Sequence, residues 1–143
     1  MTTTTTDPRL ASHLRIATMR LARRLRRERS DNSLTPTQIS ALATLDRLGP
    51  ITLGELASVE YVQPPSMTRV VAALEELGLV RRTPHPTDGR QIQLDATDAG
   101  RQLLAIDRER RDAWLCHRLK ELNDDERATL RAAAQILERL AQS

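Results

Sequence analysis

Apolar residues recur at spacings of three and four at both ends of the chain. Near the N-terminus the stripe is Leu10, Leu14, Ala17, Leu21 and Leu25. Toward the C-terminus it is Leu103, Ile106, Ala113 and Trp114, then Leu130, Ala134, Leu137 and Ala141. That spacing puts the side chains on one face of a helix. Between the two ends the pattern shortens and breaks. Short helical runs give way to Gln91-Ile92-Gln93-Leu94, which alternates with the period of a strand.

The helix starts are marked by caps. Asp7-Pro8 places an acceptor before a proline at the first helical position, and Thr35-Pro36-Thr37-Gln38 adds a capping box to the same device. Thr52–Glu55 reads as a second box and Asn123–Glu126 as a close variant. Thr97-Asp98 opens a helix with an acidic first turn, and Gln63-Pro64 opens one with a weaker cap. Gly49-Pro50 stops one helix, and Leu77-Gly78-Leu79 has the form of a glycine C-cap. The predicted order is helices over 8–29, 35–48, 52–60 and 64–77, strands over 79–83 and 90–95, and helices over 97–121 and 124–141. Pro50–Thr52 is a short extended piece able to pair with the hairpin. Met1–Thr6 is low-complexity and predicted to be disordered.

These elements sort into an N-terminal arm and helix (1–34), a compact module of short helices and a hairpin (35–96) and long C-terminal helices (97–143), the three forming one intertwined domain. A helix of about 25 residues is about 37 Å long, more than such a module can cover. Apolar stripes of that length need a partner, most simply a second copy related by a two-fold axis. The fold class is therefore mainly α with a small β-wing: a winged helix-turn-helix with N- and C-terminal dimerisation helices.

Composition narrows the chemistry. With no Phe, one Trp and one Tyr, the core must be built from Leu, Ala, Val and Ile. Lysine and arginine total 22 against 19 acids, and Lys120 is the sole lysine. Arginine is the better fork for phosphate and guanine edges, although an arginine-rich genome would give the same count. One cysteine, Cys116, excludes an internal disulfide and suits a reducing cytoplasm. Its neighbours Trp114, Leu115 and Leu119 suggest a packed thiol rather than a redox switch. His13, His85 and His117 lie on separate elements, so no metal site is expected. No apolar run approaches the roughly 20 residues that span a membrane. Met1–Arg29 has the bias of a transit peptide, but the Asp7-Pro8 cap and regular stripe favour a folded helix. No phosphate loop or nucleophile–base pair is present, so neither a cofactor nor an enzymatic reaction is expected.

On helix 64–77, Met67, Val70, Val71, Leu74 and Leu77 share one face and are assigned to the core. The opposite face carries Pro65, Thr68, Arg69, Ala72 and Glu76, with Ser66 at its edge and the cap Gln63 before it. The N-terminal half of this face is small and polar, and the acids Glu75 and Glu76 lie at the far end. This asymmetry suits a helix whose first turns enter a DNA major groove. Arg69 has the fork to read guanine, Ser66 and Thr68 can meet bases or phosphate, and Pro65 and Ala72 can meet thymine methyls. An ordinary solvated face is the plainer alternative. In the hairpin, Arg90 stands near the tip of a ribbon whose loop is stiffened by Pro84 and Pro86. An arginine there can enter the adjacent minor groove. Asp88 either holds the Arg90 guanidinium or braces the turn through the backbone.

Leu-Glu-Glu-Leu-Gly-Leu-Val-Arg-Arg (74–82), Asp88-Gly89-Arg90 and Thr97-Asp98-Ala99-Gly100 together resemble the MarR family of bacterial transcription regulators, and Ser-Met-Thr-Arg (66–69) is similar to its recognition-helix signature. The resemblance covers about residues 8–141. It implies a homodimer that binds a palindromic double-stranded operator, most simply as a repressor of a nearby operon. It also implies a small-molecule effector pocket between the dimer helices and the DNA-binding module. Gln63, Pro65, Ser66, Thr68, Arg69, Asp88 and Arg90 are the expected DNA-binding residues, with Arg90 in the minor groove. Pro64-Pro65 departs from the family's usual polar start and thins direct base reading there. The alternative is a protein-interaction or membrane-surface module using the basic first helix (Arg15, Arg20, Arg23, Arg24, Arg26, Arg27) without sequence-specific DNA binding.

Overall fold

The computed structural model describes residues 7–29 and 34–143. Among the described residues, six helices and three strands follow in the order α1 (Pro8–Arg26), α2 (Pro36–Leu48), β1 (Ile51–Thr52), α3 (Leu53–Glu60), α4 (Pro64–Glu76), β2 (Val80–Pro84), β3 (Ile92–Ala96), α5 (Asp98–Leu119) and α6 (Asp124–Ala141). The reading of Met1–Thr6 lies outside the described residues. The chain divides into two compact units, Ser30–Arg108 and Met1–Arg29 with Glu109–Ser143.

In the first unit the strands form an antiparallel sheet in the order β1-β3-β2. Ile51 pairs with Leu94, and the hairpin runs from Val80 opposite Ala96 to Pro84 opposite Ile92. The extended piece predicted before α3 is thus the third strand. β3 begins at Ile92, so Arg90 lies in the loop and not in the strand. Pro84 closes β2, leaving Pro86 as the proline of the loop.

The core of this unit is aliphatic, as the lack of aromatics requires. Leu42 and Leu45 of α2, Leu56 of α3, Met67, Val71 and Leu74 of α4, Leu94 of β3 and Leu104 of α5 are fully buried. Each such side chain contributes about 1.5–3 kcal/mol by leaving water. Two assignments change. Leu77 is the C-cap of α4 and stays 57% exposed, because the helix ends before the residue can turn inward. On α5 it is Leu104 that enters the core, with Leu103 packed at its margin and not on an outer stripe.

The caps hold with two exceptions, at α3 and at α4, where Gln63 makes no side-chain capping bond. Asp7 Oδ1 accepts from the N–H groups of Arg9 and Leu10, both at 3.1 Å. Thr35–Gln38 and Asn123–Glu126 form reciprocal boxes. At α3 only half a box forms: Thr52 Oγ1 accepts from Glu55 N–H, and the hydroxyl itself donates to Glu55 Oε1. α1 also stops at Arg26, three residues short of its predicted end.

α4 ends in a paired turn: Gly78 N–H donates to Glu75 O and Leu79 N–H to Leu74 O, both at 2.9 Å, with Gly78 at φ 75°. α3 ends with a left-handed residue as well, but there it is Tyr61, at φ 54° and ψ 40°. That conformation costs a residue with a Cβ about 1–2 kcal/mol. Thr97 then ties the end of α4 to the start of α5. Its hydroxyl donates to Gly78 O at 2.6 Å and accepts from Gly100 N–H at 3.2 Å, while its own N–H donates to Leu79 O. Gly100 is buried where a Cβ would lie 2.4 Å from Leu79 O and 3.0 Å from Leu42 Cδ1.

In the second unit, α1 and α6 bury no residue within the chain. Leu10, Leu14, Met19, Leu21, Leu130, Leu137 and Leu140 are exposed. Trp114 of α5 lies beneath the Arg24 guanidinium of α1, 4.4 Å from its ring centre, and Arg24 also pairs with Glu28. Leu21, Leu115, Leu119, Leu130, Ala134 and Leu137 line an apolar recess of about 420 Å³. Cys116 is exposed in the chain, contrary to the packed thiol expected from its neighbours.

Candidate nucleic-acid interface

The core face of α4 fixes which side chains it shows to solvent. With Met67, Val71 and Leu74 inward, Pro65, Ser66, Thr68, Arg69, Ala72 and Glu76 are all exposed, and Arg69 has no ion-pair partner among the described residues. Gln63 is the N-cap but makes no side-chain capping bond, so its carboxamide is available. Pro64 and Pro65 bring no N–H to the helix start. Backbone donors there are few, and recognition at this end must come from side chains.

Thr68 is more restricted than its sequence suggests. Its hydroxyl donates to Pro64 O at 2.9 Å, one turn back. The oxygen is left with lone pairs facing outward, so in this rotamer it accepts from a base amine and has no proton for a phosphate. Of the acids at the far end, Glu75 is not free. It is half-buried and its Oε1 takes the Nε of Arg82 at 2.6 Å. This pair joins α4 to β2, so the helix and the wing are held as one body.

The wing's base is fixed by a chain of charges. Asp95 on β3, with its side chain only 8% exposed, takes Arg101 at 3.2 Å and Arg81 at 3.5 Å. Arg101 also reaches Asp46 of α2 at 3.4 Å, and Asp46 takes Arg108 at 3.1 Å. β3, α2 and α5 therefore share one network. Arg81 and Arg82, although on the wing, are committed to these pairs.

The wing's tip is built by hydrogen bonds to side chains. Asp88 Oδ1 accepts from Arg90 N–H at 3.1 Å. Of the two roles foreseen for Asp88, the backbone brace is the one that forms. In the sequence His85 is only a histidine without metal partners, and the structure gives it a part. Its Nδ1 accepts from the N–H groups of Thr87 at 3.2 Å and Asp88 at 3.1 Å. The ring therefore carries its hydrogen on Nε2. His85 N–H donates to Gln91 O, and Gln91 N–H to Asp88 O. The Arg90 side chain projects from this braced loop exposed, without an ion-pair partner among the described residues.

The exposed α4 face and the free Arg90 thus belong to one rigid part of the first unit. Tyr61 lies in the turn just before α4 and belongs to none of the motifs legible in the sequence. It is 97% exposed, and an aromatic residue in a polar inter-helix turn was the available signal. No group of histidine, cysteine or carboxylate side chains suited to a metal occurs among the described residues. No described helix is long and apolar enough to cross a membrane.

Known proteins share this architecture. The MarR family model matches residues 34–92, the helix-turn-helix and most of the wing. An uncharacterised helix-turn-helix transcriptional regulator of Mycobacterium leprae is 47% identical over 131 residues, 92% of each chain. The transcriptional repressor MdtR of Bacillus subtilis is 32% identical over 114 residues, covering 77% of this chain and 69% of that one. A solved transcriptional regulator structure from Pseudomonas aeruginosa superposes with a TM-score of 0.88 at 35% identity, over 99% of each chain. Its sequence relatives and its fold are those of transcription regulators and not of enzymes. This chain belongs to the MarR family of DNA-binding transcriptional regulators.

Proposed function

We propose that the protein is a cytoplasmic homodimer that binds a palindromic operator and represses a nearby operon by occluding its promoter. In each half-site, Ser66, Thr68 and Arg69 of α4 face the major groove. Gln63 and Pro65 lie at the helix entry, and Arg90 enters the adjacent minor groove from a loop that Asp88 holds in shape. The observation that supports this reading is the placement of two arginines without an ion-pair partner among the described residues, Arg69 and Arg90, on one braced body. Arg90 then favours A·T-rich flanks, because a narrow minor groove concentrates negative potential.

The apolar surface that α1 and α6 leave uncovered, with the recess of about 420 Å³ beside it, supports a second copy. A stripe of that extent is sticky in water unless another protein covers it. The same recess is the place to look for a small apolar effector, since a ligand there competes with the second copy for one surface. Repression agrees with the role of the Bacillus subtilis relative MdtR, a transcriptional repressor.

The test is to select bound fragments from the source genome and titrate the protein against them. Contact with about 6–10 phosphates predicts a loss of roughly 10³–10⁵ in affinity between 50 and 200 mM salt. Half-sites should lie about 10–10.5 bp apart or a multiple of that. Affinity that scarcely moves with salt, or binding to lipid vesicles in place of DNA, overturns the reading.

A further inference from the structure

Tyr61 is placed at a cost the fold does not recover. Among the described residues it is the one non-glycine with positive φ, at 54°, whereas α2 and α4 end in Gly49 and Gly78, both at 75°. The chain uses glycine for positive φ elsewhere. Here a large side chain sits in the left-handed region and is 97% exposed, so burial returns nothing. A strained residue that contributes no packing is a candidate for function.

Its surroundings suggest which function. Tyr61 borders a shallow recess of about 320 Å³ between α3 and the entry to α4, together with Ser58, Gln63 and Pro64. The Ser58 hydroxyl is exposed, and the Gln63 carboxamide is not spent on capping. No lining residue is charged. The nearest acid in sequence, Glu60, is engaged on the other side, where it accepts from Ser40 Oγ at 2.7 Å and from the Thr44 hydroxyl. The recess therefore offers three neutral donors, a phenol, a hydroxyl and an amide, and no carboxylate to repel an anion. It also continues the exposed face of α4.

We propose that Tyr61, with Ser58 and Gln63, grips one DNA phosphate at the edge of the major groove that α4 enters, through uncharged hydrogen bonds. The proposal rests on the operator-binding reading. Tyrosine, serine and glutamine are all common phosphate partners, and such contacts set register on the duplex. Being neutral, this grip releases no counterion of its own, unlike a lysine or arginine contact.

The experiment uses the full chain and its selected operator. Tyr61→Phe should weaken binding about tenfold, the effect of losing one hydrogen bond to a charged group. The slope of log affinity against log salt should not change. Tyr61→Gly should raise the melting temperature by relieving the backbone, yet bind at least as weakly as Tyr61→Phe. A methylphosphonate stepped along the operator should find one linkage whose neutralisation weakens the wild type more than it weakens Tyr61→Phe. If both variants bind as wild type does while Arg69→Ala is impaired, the Tyr61 proposal fails and the operator reading stands. A changed salt slope, or no such linkage, overturns it equally. If the wild type itself shows no salt-dependent DNA binding, the operator reading falls first and this proposal with it.

Discussion

The carboxylate of Asp88 meets the backbone of Arg90 and not its guanidinium: Oδ1 accepts from the Arg90 N–H at 3.1 Å. What this bond needs is an oxygen acceptor, with or without charge. Asp88→Asn keeps an acceptor and should bind operator within about twofold of wild type. Asp88→Ala removes it and should cost about 1 kcal/mol, roughly fivefold, the ordinary worth of such a bond. Equal losses in the two variants, measured by titration, would return Asp88 to an electrostatic role.

His85 caps the other side of the loop through Nδ1. His85→Leu leaves the Thr87 and Asp88 amides without that acceptor. Their hydrogen exchange should speed up by about tenfold or more, and the preference for A·T-rich flanks should shrink along with it. Unchanged exchange at both amides would show that the backbone holds the loop without the ring.

On α4, Arg69→Ala should cost about 1–3 kcal/mol at one base pair if the fork is bidentate. Thr68→Val removes an outward lone pair while keeping the shape. Its loss should fall on a base pair presenting an amine to the major groove and be absent on random DNA. Titration against operators varied one position at a time gives both results. Uniform losses on every sequence would make Arg69 a phosphate anchor and remove the base contact assigned to Thr68.

Leu137 lines the apolar recess of the second unit. Leu137→Asp would place an unpaired charge in the interface argued for a second copy. Sedimentation should then show dissociation at micromolar concentration where the wild type is dimeric. A wild type that is a stable monomer there removes the dimer altogether.

Arg101 joins three carboxylates, those of Asp46, Asp95 and Asp98. Arg101→Met strips the nearly buried Asp95 of its closer partner and leaves only Arg81 at 3.5 Å. A loss of about 2–4 kcal/mol is expected, since an underpaired buried charge costs more than the pair contributed. In denaturant the midpoint should fall with the slope unchanged. A shift under about 0.5 kcal/mol would show that water reaches Asp95.

Much of this architecture could be read from residue types alone. Caps such as Thr35–Gln38 act within one turn, so their chemistry is local and legible. The core face of α4 followed from its period, except at Leu77, where the helix stops and the period ceases to apply. Leu103 and Leu104 are adjacent leucines, and choosing between them requires knowing which wall α5 faces. Partnerships across the fold were hidden for the same reason. Nothing near Arg82 or Arg101 in sequence announces Glu75 or Asp46. The hydroxyl of Thr68 and the ring of His85 look like free functional groups until the backbone places an acceptor or a donor beside them. Tyr61 escaped notice because its left-handed conformation comes from the geometry of the turn and not from its own preference.

Gly100, held against Leu79 O and Leu42, has a consequence at the level of the gene. Every base change in a glycine codon that alters the amino acid either adds a Cβ or stops translation. At this codon each missense neighbour meets the same backbone oxygen, 2.4 Å from where its first carbon must go. Gly89, at the wing tip, has open space around the same atom. A randomised library selected for operator binding should therefore return glycine alone at 100 and a mixture at 89.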